Sequence, residues 1–99
     1  MSSGQVTITH EGNDERGEYT AHIAGVEATG ELTWRADSEG VRIATHTGVP
    51  RELRGRGIAG KLVDALIADA REQGFKVVPA CSYVAKQFDE HPEWAELRA

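Results

Sequence analysis

The chain has one cysteine, three prolines, two each of Trp, Tyr and Phe, and no long apolar run. A single thiol, Cys81, excludes an internal disulfide framework and fits a reducing, cytoplasmic setting. No stretch is apolar enough to span a bilayer, and the opening MSSGQVTITHEGN lacks a basic segment followed by an apolar one. No membrane partner is therefore expected. Cations are the minority charge, with 11 Lys and Arg against 16 Asp and Glu and a net charge of −5. An acidic chain lacks the general basic surface of a nucleic-acid binder, so no nucleic-acid partner is expected either. His10, His22 and His91 have no metal-ligand spacing with one another or with Cys81, and no metal site is expected. Repeats, linkers and low-complexity tails are missing too, which leaves one small domain over residues 1–99.

What is present is order of two kinds. Val6 and Ile8, then Tyr19, Ala21 and Ile23, then Leu32 and Trp34, then Val41 and Ile43 alternate with polar residues, which predicts four strands. The links EGNDERG, AGVEATG and ADSEG are short and turn-rich, as in an antiparallel meander. From Ile58 the period changes: Ile58, Leu62, Leu66 and Ala70 recur at i+4, predicting a helix of about four turns closed by Gly74. FKVVP reads as a short buried strand, parallel to the strand before the helix; SYVAKQF predicts about two helical turns, and His91-Pro92 opens a last short helical piece. The fold class is α+β, a mixed α/β sandwich: a four-stranded antiparallel meander, a long helix, a parallel strand and short C-terminal helices.

Four of the eleven cations, Arg51, Arg54, Arg56 and Lys61, fall in one eleven-residue window shared with three glycines. Gly55 to Gly60 satisfies G-x-G-x-x-G, the dinucleotide fingerprint, but the region about twenty residues on, KVVPACS, holds no acid for a ribose. Gly55 to Lys61 also satisfies G-x-x-x-x-G-K, yet Leu62 stands where a P-loop needs a hydroxyl for magnesium. Both readings fail on a missing partner. The third pattern, R-x-x-G-x-A at Arg54 to Ala59, places orphan N–H groups, a helix dipole and cations at one helix start, which suits a small anion. The bland alternative is a solvated basic helix entrance.

That motif, after an antiparallel run and with H-T-x-V-P before it and C-S-Y-V after it, resembles the GNAT acetyltransferases, in particular a small stand-alone YjdJ-type branch. The resemblance covers about residues 44–94. It implies acetyl-CoA as cofactor, held where the strand before the loop splays from the strand after the helix. Cofactor contacts are implied at Thr47 and Val49 on the splayed strand, at Arg54, Gly55, Arg56, Gly57, Ile58, Ala59, Gly60 and Lys61 in the loop, and at Ser82. The chain departs from the wider superfamily in two respects: Asp89 stands where a tyrosine is usual, and the last strands that usually build an acceptor site are missing. A CoA-binding or interaction module without transferase activity is accordingly the alternative to an N-acetyltransferase.

Three residues are candidates for chemistry. Cys81 could accept the acetyl group or protonate the departing thiolate, or could be a small buried hydrophobe. His46, on the strand face opposite Val41, Ile43 and Thr45 by simple alternation, could deprotonate an ammonium acceptor, or be an ordinary strand-end polar residue. Tyr83 could serve as a general acid, or pack by its ring. The expected partner is a small-molecule or protein amine, and the expected state a monomer or weak homodimer.

Overall fold

A computed structural model describes residues 5–99. The order is β1 (Val6–Gly12), β2 (Arg16–Ile23), β3 (Thr29–Ser38), β4 (Val41–Gly48), a 3-10 turn at Arg51–Leu53, α1 (Ile58–Gln73), β5 (Lys76–Pro79), α2 (Ser82–Glu90) and a 3-10 segment at Pro92–Leu97. One sheet runs β1-β2-β3-β4-β5, antiparallel through β4, with β5 parallel to β4. The meander, the parallel return and the helix limits all follow the sequence pattern. Gly74 ends α1 in the left-handed conformation (φ 81°), and its N–H bonds the Ala70 carbonyl.

Alternation sets which sheet face is covered. Tyr19, Ala21 and Ile23 of β2, Leu32 and Trp34 of β3 and Ala44 of β4 are buried with Ile58, Leu62, Val63, Leu66, Ile67 and Ala70 of α1. Each large side chain of that set contributes about 1.5–3 kcal/mol by leaving water. The other face carries Glu11, Glu18, His22 and Arg35, all exposed, so over β1 to β3 the sheet is covered on one side only.

The pairing of β3 with β4 is broken twice. Ser38 faces Val41, but Ala36 faces Arg42, so Asp37 is an extra residue on β3; Trp34 faces Ala44, but Thr33 faces His46, so Thr45 is an extra residue on β4. The second bulge restores the register that the first displaced. A bulge re-aims the side chains beyond it. After Thr45, Thr47 lies opposite the buried Leu32 and therefore faces the helix side, whereas His46 lies opposite Thr33 and faces the open side. The expectation that His46 faces away from Ile43 and Thr45 is thus wrong. Ile43 pairs with Arg35 on the open face, and the Thr45 hydroxyl lies 2.8 Å from that of Thr33, so all three share it. Alternation counts one residue per position, and the bulge holds two.

The two ends of the sheet differ. Far from the glycine loop, Trp34 Nε1 donates to His10 Nε2 (3.0 Å), the His10 ring stacks on Tyr19 (4.3 Å between centroids), and the Tyr19 hydroxyl donates to Asp69 (2.6 Å). The Arg42 guanidinium lies between the rings of Trp34 (3.9 Å) and Phe75 (4.1 Å). Gly17 makes room for the indole, which a Cβ there would meet at 2.5 Å. Near the loop, β5 stops at Pro79, opposite Ala44, while β4 runs on to Gly48, so the pairing of the two strands ends there. The outer edge of β5 is closed by the C-terminal residues: Val77 bridges Arg98, and its carbonyl accepts from the Ala99 N–H (2.8 Å).

Candidate functional site

The glycine loop is shaped by two left-handed residues. Gly55 (φ 82°) and Gly57 (φ 73°) adopt a conformation that L side chains rarely take, and space is open where a Cβ would stand on either. Gly57 is the N-cap of α1, with no side chain closing the helix end. The first intrahelical bond runs from the Lys61 N–H to the Gly57 carbonyl (3.1 Å), leaving the N–H groups of Ile58, Ala59 and Gly60 without an acceptor in the helix. These donors border a hollow of about 230 Å³ lined by Val49, Leu53, Arg54, Gly55, Gly57, Ile58, Ala59, Gly60 and Tyr83. Above Gly60 the nearest atom to a Cβ would be the Tyr83 hydroxyl at 3.8 Å, so this third glycine keeps the helix face open rather than packing against the fold.

The cations sort by partner. Arg54 Nε donates to the Val49 carbonyl (3.4 Å), tying the loop to the end of β4. Arg56 and Lys61 are exposed, and among the described residues neither forms an ion pair. Three orphan N–H groups and free positive charge at one helix start are a donor set that fits a diphosphate.

Cys81 sits where the pairing of β4 and β5 ends. Its N–H donates to the Ala44 carbonyl (3.0 Å), and with φ −82° and ψ 133° it is the N-cap of α2. The thiol donates to the Thr47 hydroxyl (3.5 Å). Burial pushes the thiol up. The Thr47 hydroxyl, the N–H groups of Val84 and Tyr83 and the Thr47 N–H outweigh that and hold it below the ordinary thiol value. Cys81 is half-buried and packs against the core cluster, with its thiol also within reach of Thr47.

Tyr83, on the first turn of α2, lines the glycine hollow. Burial pushes its phenol up, and the carboxylates of Glu90 and Asp64 add to that, so it stays protonated at neutral pH, a hydrogen-bond donor. Ser82 is the first residue of α2, beside Cys81 in the chain. Cys81, Thr47, Tyr83 and the loop thus gather on the helix side of the sheet end. His46 stands apart, on the open face of β4. Its Nε2 lies 3.6 Å from Glu31 Oε2, and at Gly48 a Cβ would meet that same nitrogen at 2.9 Å, so the glycine lets the imidazole lie against the strand. Glu31 carried no signal in the sequence, because it meets His46 only through the bulged register of β3 on β4.

A larger hollow, about 540 Å³, lies on the open face and is lined by Glu11, Arg16, Glu18, Thr33, Arg35 and Thr45 among others. Size alone would favour it. The orphan helix donors lie in the smaller hollow, which is the better candidate for an anion.

Known proteins bear on these features. A family model described as GCN5-related N-acetyl-transferase matches residues 18–97. Among solved structures, the whole chain is similar to 91% of a GCN5-like protein from Staphylococcus aureus, assigned provisionally as an N-acetyltransferase and determined in solution by NMR, with 26% identity and a TM-score of 0.69.

Proposed function

The chain belongs to the GCN5-related N-acetyltransferase family, and we propose that it binds acetyl-CoA and transfers the acetyl group to a primary amine. The observation that carries this reading is the hollow at the start of α1, lined by Arg54 and by the three residues whose N–H groups have no acceptor in the helix, with Arg56 and Lys61 exposed next to them in the chain. A diphosphate suits that donor set, and the end of β4 beyond Ala44, which β5 does not pair, suits an extended amide-bearing arm. When bound, the cofactor supplies an activated thioester.

The chain's own groups divide the remaining work between the two faces of β4. On the helix side, Cys81 stands with its thiol among neutral donors, and Tyr83 borders the loop as a hydrogen-bond donor. On the open side, His46 can take a proton from an ammonium acceptor, with Glu31 stabilising the imidazolium that results. In direct transfer the amine nitrogen forms the new bond to the acyl carbon as the carbon–sulfur bond breaks, and the amine's proton passes to His46 or water. In the covalent variant the Cys81 thiol would give up its proton to the departing CoA thiolate as its sulfur takes the acyl group, and would then leave as a thiolate when the amine takes that group, regaining a proton from the amine.

Calorimetric titration with acetyl-CoA, followed by a thiol-release assay over lysine peptides and polyamines, tests the reading. His46→Ala is expected to leave acetyl-CoA affinity unchanged and to lower turnover about 100-fold. Tight binding without transfer to any amine leaves a CoA-binding module, and no binding overturns the proposal. Full turnover of Cys81→Ala with no acetylated cysteine in the wild type would eliminate the covalent variant.

A further inference from the structure

Cys81 is the N-cap of α2, just beyond the end of β5, and Thr47 is on β4. Simple alternation from Ala44 would turn Thr47 toward the open face. The extra residue Thr45 reverses that, so Ala44 and Thr47 both face the helix side and the Thr47 hydroxyl comes within 3.5 Å of Cys81 Sγ. The Cys81 N–H already bonds β4 through the Ala44 carbonyl at 3.0 Å. Two bonds thus tie the start of α2 to β4 across the point where β5 ends, one through backbone and one through side chains.

We propose that Thr47 is a positioning residue for Cys81: delivered to the helix side by the β4 bulge, its hydroxyl fixes the thiol where the pairing of β4 and β5 ends and stabilises it when ionised. As a thiol, Cys81 donates to Thr47. Once the proton is lost, the hydroxyl rotates and donates in turn, which no apolar residue of the same shape can do. The other groups that bear on the sulfur are the N–H groups of Thr47 on β4 and of Tyr83 and Val84 on α2, and among the described residues no ionised side chain bears on it. Thr47 is therefore the one side chain through which the thiol's reactivity is tuned. This chemistry belongs to the free protein. Only its use in acetyl transfer rests on the transferase reading.

Cys81 is the chain's only cysteine, so alkylation by iodoacetamide, followed by intact mass over pH 5 to 10, reports on it alone. Thr47→Val is expected to slow alkylation about tenfold at pH 7 and to move the half-rate pH upward, with the high-pH plateau unchanged, as loss of one charge-assisted hydrogen bond implies. Thr47→Ser, which keeps the hydroxyl, is expected to track the wild type. A Thr47→Val profile that overlays the wild type, or an equal loss in Thr47→Ser, would overturn the proposal. Should Thr47→Val fail to fold, the Cys81 Cβ chemical shift, followed through the same pH range in the wild type and Thr47→Ser, decides it: coincident inflections below the ordinary thiol value support Thr47, and an inflection that moves up in Thr47→Ser overturns it. The assay uses no cofactor, so failure of acetyl-CoA to bind would end the transferase reading and leave this result standing.

Discussion

At one end of the sheet most polar side chains are satisfied within the fold, and at the other several backbone donors are not. At the end occupied by Trp34, His10 and Tyr19, indole, imidazole and phenol are bonded or stacked within the fold, with Asp69 taking the phenol's hydrogen bond; Arg42 stacks there between two rings, its Nη1 buried without a hydrogen-bond partner. At the other end the pairing of β4 and β5 stops, two helices begin without a side-chain cap, and three N–H groups of α1 have no acceptor in the helix. Satisfied donors hold a fold together and leave nothing to offer a ligand. Unsatisfied donors cost stability and are kept where something else will satisfy them. The same contrast recurs across β4, where the bulge sends Thr47 toward Cys81 and His46 toward Glu31.

If that division is real, damage to the first end should cost stability. Trp34→Ala removes a buried ring that also partners Arg42 and His10, and is expected to cost about 3–5 kcal/mol. For a domain of this size that lowers the melting temperature by more than about 10 °C, read by thermal denaturation.

Tyr19 probes the same end through pH. Burial, and then the Asp69 carboxylate, raise its phenol well above the ordinary 10.0. The unfolded chain ionises near the ordinary value and the folded protein resists, so the contribution is whole below about pH 10 and is lost as pH rises from there toward the raised folded value. Urea denaturation at pH 8 and pH 11 should show the wild type losing stability. Tyr19→Phe should lose less between the two, after a cost of about 1 kcal/mol at pH 8 from the vacated bond to Asp69.

The smallest expected change is at the open end and has the opposite sign. Gly60 lies in α1 with room for a methyl group, its nearest neighbour the Tyr83 hydroxyl at 3.8 Å. Gly60→Ala should stabilise the free protein by up to about 1 kcal/mol, since glycine is a poor helix former. It should weaken acetyl-CoA binding, because the methyl projects into the hollow. A variant more stable and equally tight would mean that the hollow is not the anion site.

Much of this was legible in the sequence, for local reasons. The i+4 repeat from Ile58, the left-handed stop at Gly74 and the alternation of Tyr19, Ala21 and Ile23 each depend on neighbours a few residues away. The shape of the glycine loop was legible as well, because two glycines with positive φ and a helix start form one short segment. His46 was placed on the wrong face because a bulge has no local mark: nothing in VRIATHTG sets Thr45 apart from its neighbours. Cys81 as a helix cap was hidden because cysteine is not a usual capping residue and Ser82 beside it is. The cluster of His10, Trp34 and Arg42 joins three strands and could be read only from their register.

The central claim is that the open end, and not the packed end or the trough on the open face, receives acetyl-CoA. Amide chemical-shift mapping during an acetyl-CoA titration tests it most directly. Shifts are expected to concentrate at Thr45 to Val49, Arg54 to Lys61 and Cys81 to Val84, with β1 and β2 unmoved. Saturation with the largest shifts at Glu11, Arg16, Glu18 and Arg35, or no saturable shift at all, would contradict it.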